Sequence, residues 1–256
     1  ASDKAAVHCV IIGFGMKDRT IKTIFNEDGS QLKVNHINAY LYDAPDAFIE
    51  SRSKPICDVP KSTMGNKPTD NGNFILTLEE RNDILGKTPE LAPYIRRYIG
   101  ARDYLNNDQI RYCLWLKDAS PTILNKNKEV KRRLEAIREF RAKSTAAPTR
   151  KSAETPYKFF STPQTKGEYL IIPRVSSQRR RYIPIGFMGG DTIAADSCTI
   201  ICGANRYQFG VLESNVHMAW MRFVAGRLKS DYRYSASVVY NNFPWPKPTE
   251  VQKHRI

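Results

Sequence analysis

Apolar positions recur along this chain with two periods, and each predicts an element. Between Asn127 and Lys143, Val130, Leu134, Ile137 and Phe140 step by four, three and three, the spacing of a helix with one buried stripe. Its other faces carry Lys128, Lys131, Arg132, Arg133, Arg138, Arg141 and Lys143. A second helix is capped by Ser214, with Val216, Ala219, Trp220, Phe223, Val224 and Leu228 on a wide apolar face. Thr77 with Glu80 forms a capping box and opens a short helix. Another helix is expected from Pro89 to Gly100, ended by the glycine. Continuous apolar runs predict strands at Val7–Phe14, Ile110–Leu116 and Cys198–Cys202. Thr20–Phe25 and Gln31–Leu41 form a hairpin around Asn26–Ser30. Tyr169–Pro173 and Tyr182–Phe187 are read as paired strands joined by Arg174–Arg181.

Between these elements, Pro55 to Asn73 is irregular, with a polar tip at Asn66–Asn71. Ser144–Thr155 has the composition of a mobile loop. Strands and helices mix without strict alternation, so the class is α+β: a mixed sheet with peripheral helices and a C-terminal helix. The expected division is 1–212 for the main domain and 213–256 for the C-terminal helix and an extended tail packed on it.

Charge changes this ordinary picture. The 256 residues carry 40 Lys and Arg against 26 Asp and Glu, a net charge of +14. The first 125 residues are balanced at 16 against 16, whereas residues 126–181 hold 16 basic and 5 acidic side chains. Three basic clusters in so short a stretch suit a polyanion, through steering and counterion release. The competing readings are a non-enzymatic protein-interaction module with a basic docking face and an RNA binder without sequence preference. No apolar run approaches a membrane span. Five scattered cysteines (Cys9, Cys57, Cys113, Cys198, Cys202) suit reduced thiols in a cytoplasm.

No complete active site is legible. Gly13–Phe14–Gly15 follows an apolar run, but Asp18 stands where a dinucleotide fingerprint needs glycine, so a turn is the reading. The histidines His8, His36, His217 and His254 are too far apart to suggest a metal site, and His217 reads as a core residue. Glu129–Val130–Lys131 matches half of a nuclease motif without an acidic partner. Asn241–Pro246 has misplaced prolines for an adenine-binding motif and reads as an extended, aromatic-anchored segment. Tyr232–Arg233–Tyr234 could grip phosphates, but tyrosines there more simply cover core. Arg174–Arg181 differs in kind. Arginine forks pair with guanine or phosphate, and Gln178 and the serines can reach base edges. Its plainer alternative is an exposed basic hairpin.

Several stretches together carry a family likeness: VHCVIIGFG from Val7, PICDVPKSTMGNKPTDNGN from Pro55, YIRRYIGARDYLN from Tyr94, RYCLWLKDASP from Arg111, YLIIPRVSS from Tyr169, RRYIPIGF from Arg180, and the long run from Ser214 to NNFPWP. They resemble the target-recognition part of MmeI-like type IIL restriction-modification enzymes and YeeA-like adenine methyltransferases. The resemblance covers nearly the whole chain. It implies sequence-specific recognition of double-stranded DNA in support of adenine N6 methylation. The catalytic domain, with its S-adenosylmethionine site, would be a covalently linked partner, and many such enzymes also carry a nuclease domain. No cofactor, metal or membrane is expected for this stretch itself, and the compartment is the cytoplasm.

Two sets of site residues follow. Base readout is expected from Arg174, Ser176, Ser177, Gln178, Arg179, Arg180 and Arg181, and, on the resemblance, from Asn205 and Arg206. Phosphate contacts are expected from Lys131, Arg132, Arg133, Lys143, Arg150, Lys151, Lys67, Lys229 and Arg233.

Overall fold

The computed structural model describes residues 10–255. The first part of the chain runs β1 (Lys22–Phe25), β2 (Gln31–Val34), β3 (Ser62–Met64) and β4 (Ile75–Leu76), then α1 (Leu78–Lys87) and a 3-10 turn at Pro89–Tyr94. There follow β5 (Ile95–Ile99), α2 (Ala101–Asn106), β6 (Arg111–Leu114), α3 (Pro121–Lys126), α4 (Lys128–Ala142) and α5 (Ala147–Lys151). The later part holds β7 (Tyr169–Pro173), β8 (Val175–Ser176), β9 (Gly186–Met188), β10 (Thr192–Ala194) and β11 (Cys198–Cys202). It ends with α6 (Arg206–Leu212), α7 (Asn215–Val224), β12 (Gly226–Leu228), β13 (Asp231–Arg233), a π turn at Ala236–Tyr240 and α8 (Glu250–His254). The fold is α+β, as the mixed pattern predicted.

Two four-stranded sheets form the centre. One has the order β10-β5-β6-β4, with β10 parallel to β5 and the other pairs antiparallel. The other, β3-β11-β7-β9, is antiparallel throughout. All five residues of β7 are buried, because both faces of this strand are covered. Leu170 and Ile172 join a core with Met218, Met221, Val224, Tyr234, Tyr240 and Phe243, while Tyr169 and Ile171 pack with Ile99, Ala194 and Ile200. A strand covered on both sides has no polar alternation, hence the unbroken YLIIP. The first of these cores draws on residues from both sides of position 212. A third cluster packs α1 and α4 on β4 and β6, through Ile84, Val130, Leu134 and Ile137 against Leu76, Cys113 and Leu114.

The Thr77 capping box, the Asn127-capped α4, the Ser214 cap and Cys198–Cys202 occur where the pattern placed them. The first hairpin forms, though its second arm ends at Val34. Other expectations are corrected. No strand forms at residues 10–14, where Ile11 and Phe14 are almost fully exposed; Val7 to Cys9 lie outside the described residues. Pro89–Gly100 is not a helix. Pro93 denies a helix one N–H, and Ile95–Ile99 instead pairs with Arg111–Leu114 and Thr192–Ala194 as β5, buried at Tyr98 and Ile99. Gly100 instead opens α2, and Asn107 takes the left-handed turn that ends it. Ser144–Thr155 folds as α5 and a 3-10 turn, because Pro148 suits a first helical turn. The irregular Pro55–Asn73 stretch contains β3, and its polar tip is partly buried: Asn66 is inaccessible and donates to Gln164 Oε1 and the Ala194 carbonyl, both at 2.9 Å. On α7 the buried face is His217, Met218, Met221 and Val224, leaving Val216 and Ala219 exposed. Leu228 belongs to β12 instead of this helix.

Candidate nucleic-acid interface

The Arg174–Arg181 connection is not a simple hairpin tip. β7 does pair with β9, matching Leu170 to Phe187, but Tyr182–Ile185 forms no strand. On leaving β7 the chain enters β8, which pairs with β13 by matching Ser176 to Tyr232 and Val175 to Arg233. β13 pairs in turn with β12, completing a three-stranded sheet in the order β12-β13-β8. This small sheet joins two basic stretches about fifty residues apart in sequence.

Within the connection, environments differ sharply. Arg174 is half-buried: its main chain binds Ser197 and Tyr234, and its guanidinium donates to the Asp196 carbonyl at 3.2 Å. Ser176 is 2% exposed, with its hydroxyl unpartnered within the protein, so it is withdrawn from the readout set. The Ser177 hydroxyl accepts from the Arg179 N–H at 3.3 Å, and the Arg180 N–H bonds the Ser177 carbonyl at 3.1 Å. This local turn projects Gln178, Arg179, Arg180 and Arg181, all exposed, into solvent. Asn205 is exposed but occupied, since its Oδ1 caps α6 by accepting from the Tyr207 and Gln208 N–H groups. Arg206 follows as the exposed first residue of that helix.

The neighbouring hairpin adds Arg227, Lys229 and Arg233, all exposed, with Lys229 in left-handed geometry at its turn (φ 55°). Arg227 lies over the Tyr232 ring at 4.0 Å and donates to the Ser230 carbonyl, which fixes its guanidinium. Arg222 on α7 donates to the Arg181 carbonyl at 3.2 Å. Arg222 and Arg227 were not singled out from sequence, where they are isolated charges in an apolar stretch. Strand pairing brings in Arg227, and the packing of α7 beside the loop brings in Arg222. Asp231 is the acidic residue on the three strands. Among the described residues, Arg174, Arg179, Arg180, Arg181, Arg222, Arg227, Lys229 and Arg233 make no salt bridge.

The basic helix behaves differently. Arg132 is exposed but doubly bonded to Glu129, at 2.8 and 3.1 Å. Arg133 is buried, donating to Glu129 at 2.7 Å and to the Asn73 carbonyl at 2.9 Å, so it leaves the phosphate set for a structural role. Glu129, held below the usual carboxylate range by Arg132 and Arg133, therefore serves that network and not a nuclease site. Arg138 pairs with Glu135, and Arg141 is fully buried. Lys131, Lys143, Arg150 and Lys151 remain exposed, Arg150 also donating to the carbonyls of Ser144 and Thr145. Lys131 lies on α4, which packs into the α1–α4 core, whereas the loop and hairpin flank the β7–α7 core through Ile183 and Tyr232. Lys67, at a third place, is exposed and lies 5.7 Å from the Phe160 ring.

Such a surface can hold an anion. Burial pushes the Cys198 thiol up to about 12 and raises that of Cys113, so both stay protonated. His217 is a core histidine: Nδ1 lies 2.9 Å from the Leu212 carbonyl and Nε2 3.2 Å from the Tyr234 hydroxyl. Burial lowers its pKa to about 4, which keeps the ring neutral. Tyr232 and Tyr234 are buried, so they cover core. The Asn241–Pro246 segment is anchored by buried Phe243 and Trp245, with Asn241 and Asn242 donating to the carbonyls of Arg52 and Glu50. No group of three His, Cys, Asp or Glu able to hold a metal ion occurs among the described residues.

Known proteins resemble this chain. Residues 43–247 match the family model described as MmeI, target recognition domain. DNA methyltransferase A of Bacillus subtilis (strain 168) is 41% identical over 256 residues, 100% of this chain and 29% of that protein. The solved structure of the type IIL restriction-modification enzyme MmeI in complex with DNA is similar at a TM-score of 0.92 and 45% identity, over 99% of this chain and 34% of that one. The chain thus spans about a third of the length of these relatives.

Proposed function

Because the chain belongs to the MmeI target recognition domain family, we propose that it reads duplex-DNA sequence within a longer restriction-modification enzyme. A covalently linked methyltransferase domain of that enzyme, using S-adenosylmethionine, modifies adenine at N6. The base to be methylated must leave the stack, so the recognition unit holds the duplex while the catalytic domain accepts the base. In this reading residues 1–212 and the hairpin at 226–233 carry the contact surface, the rest of 213–256 buttresses it, and the enzyme works in the cytoplasm.

One observation carries the proposal: a loop of forked donors, free of acidic partners, beside a basic hairpin on the same small sheet. Ion-paired arginines would have to be released before meeting a phosphate or base; these need not be. Base edges are read from Arg174, Ser177, Gln178, Arg179, Arg180, Arg181 and Arg206, and from Asn205 through its amide N–H groups. Arginine can satisfy guanine O6 and N7 together, and Gln178 adenine N6 and N7. Lys67, Lys229 and Arg233, with Lys131, Arg132, Lys143, Arg150 and Lys151, supply phosphate attraction that is indifferent to sequence.

Selection of bound duplexes from a random pool tests the reading, followed by competition against every single-base change in the selected site. Alanine at a base-reading position should cost about 1–3 kcal/mol and relax the preference at one base pair. No enriched sequence, equal binding to single-stranded RNA, or an unchanged preference profile in all loop variants would overturn it.

A further inference from the structure

The loop at 177–181 is exposed, yet both its ends are fixed. On the entering side β8 is pinned to β13. On the leaving side Ile183 and Ile185 are buried, and one segment, from the end of α6 into α7, supplies three polar contacts. The Tyr182 hydroxyl donates to Asn215 Oδ1 at 2.7 Å. Arg222 donates to the Arg181 carbonyl at 3.2 Å, and Glu213 accepts from the Ile185 N–H at 3.1 Å. α7 is itself anchored, capped by Ser214 and seated through Met218, Met221 and Val224.

We infer that α7 is a positioning strut for DNA readout, with the Tyr182–Asn215 hydrogen bond as its adjustable tether. This inference rests on the recognition reading above and adds how that site obtains its precision. Base-edge hydrogen bonds require donors placed to within a fraction of an ångström, and long arginine side chains on a free loop would lose much entropy on binding. Holding Tyr182, next to the last arginine, shortens the freely moving chain to a few residues. Phosphate attraction needs no such precision. Loosening the tether should therefore reduce discrimination and leave general affinity unchanged. Asn215 is exposed, and Tyr182 keeps its ring in a phenylalanine variant, so neither change opens the core.

The test is a double-mutant cycle on the full chain, with Tyr182→Phe, Asn215→Leu and both together. The probes are the best duplex selected from a random pool and a scrambled duplex of equal composition. Each single change should lower the selected-to-scrambled affinity ratio about two- to tenfold, the range of one net hydrogen bond. The double variant should lose no more than either single one. Affinity for the scrambled duplex and its salt slope should stay at the wild-type value in all three. Asn215→Asp keeps an acceptor for the tyrosine and should restore the ratio. Unchanged ratios, additive losses, or Asn215→Asp failing as Asn215→Leu does would overturn the tether. A wild-type chain that prefers no duplex would overturn the recognition reading first, and the tether with it.

Discussion

Replacing Arg141 with leucine removes the group on which three chain segments converge. The residue is fully buried near the end of α4. Its guanidinium donates to the carbonyls of Pro68 and Lys158 at 2.8 Å, Thr69 at 2.9 Å, Ser152 at 3.1 Å and Thr155 at 3.3 Å. Hydrogen bonds to a charged group contribute about 1.5–3 kcal/mol each, so five give roughly 8–15 kcal/mol before costs. Desolvating the guanidinium returns several kcal/mol of that. Leucine fills part of the space but leaves the Thr69 and Lys158 carbonyls without a donor, while those of Pro68, Ser152 and Thr155 keep one backbone N–H each. Each buried carbonyl left unsatisfied costs about 1–3 kcal/mol, so with two orphaned and three weakened the net loss should be about 3–5 kcal/mol. For a chain of this size that is roughly 6–20 °C in melting temperature. Arg141→Lys keeps the charge but loses the planar fork, and should fall between wild type and Arg141→Leu. Urea unfolding followed by circular dichroism measures all three proteins. A loss below about 1 kcal/mol in Arg141→Leu, with an unchanged denaturant slope, would refute the reasoning, because the carbonyls would then be satisfied without the arginine.

Three other outcomes follow from the same physical picture. Neutralising Lys131, Lys143 and Lys151 together should weaken selected and scrambled duplex alike and flatten the salt slope by about 0.9 per lost phosphate contact, whereas Arg133→Ala should lower stability instead. Titrating stability against pH should reveal His217. With its folded pKa lowered to about 4 from an ordinary 6.5, the unfolded state takes up the proton first. Stability is therefore complete above pH 6.5 and falls by about 3 kcal/mol as pH drops toward 4, a slope that His217→Gln should remove. Gly65→Ala should destabilise by about 1–3 kcal/mol in thermal unfolding, because a Cβ there would overlap the Ala195 carbonyl; a neutral result would mean the strand end can shift.

The candidate site was legible as composition before it was legible as geometry. The arginine-rich run from Arg174 to Arg181 stood out because a structural turn needs no forked donors, and its distal residues are exposed. Sequence proximity misled at Arg133, Arg141 and Ser176. The helical stripe that buries Val130, Leu134 and Ile137 is wide enough to take Arg133 and Arg141 with it, and nearby carbonyls make that burial tolerable. Ser176 faces inward because β8 pairs with β13, which no local pattern announces.

Local chemistry determined the helix caps at Thr77, Asn127 and Ser214, the strand at Cys198–Cys202 and the excess of positive charge. Each depends on residues within a few positions of one another. Tertiary structure alone decided that Pro89–Gly100 splits into a turn and a strand, since β5 gains its stability from pairing with β6 and β10. It also decided which arginines are free and which are held inside, and it placed Arg222 and Arg227 beside the loop. Charge is a property of the residue, whereas a free charge depends on what the rest of the chain brings within a few ångströms, and that distance is set by long-range pairing.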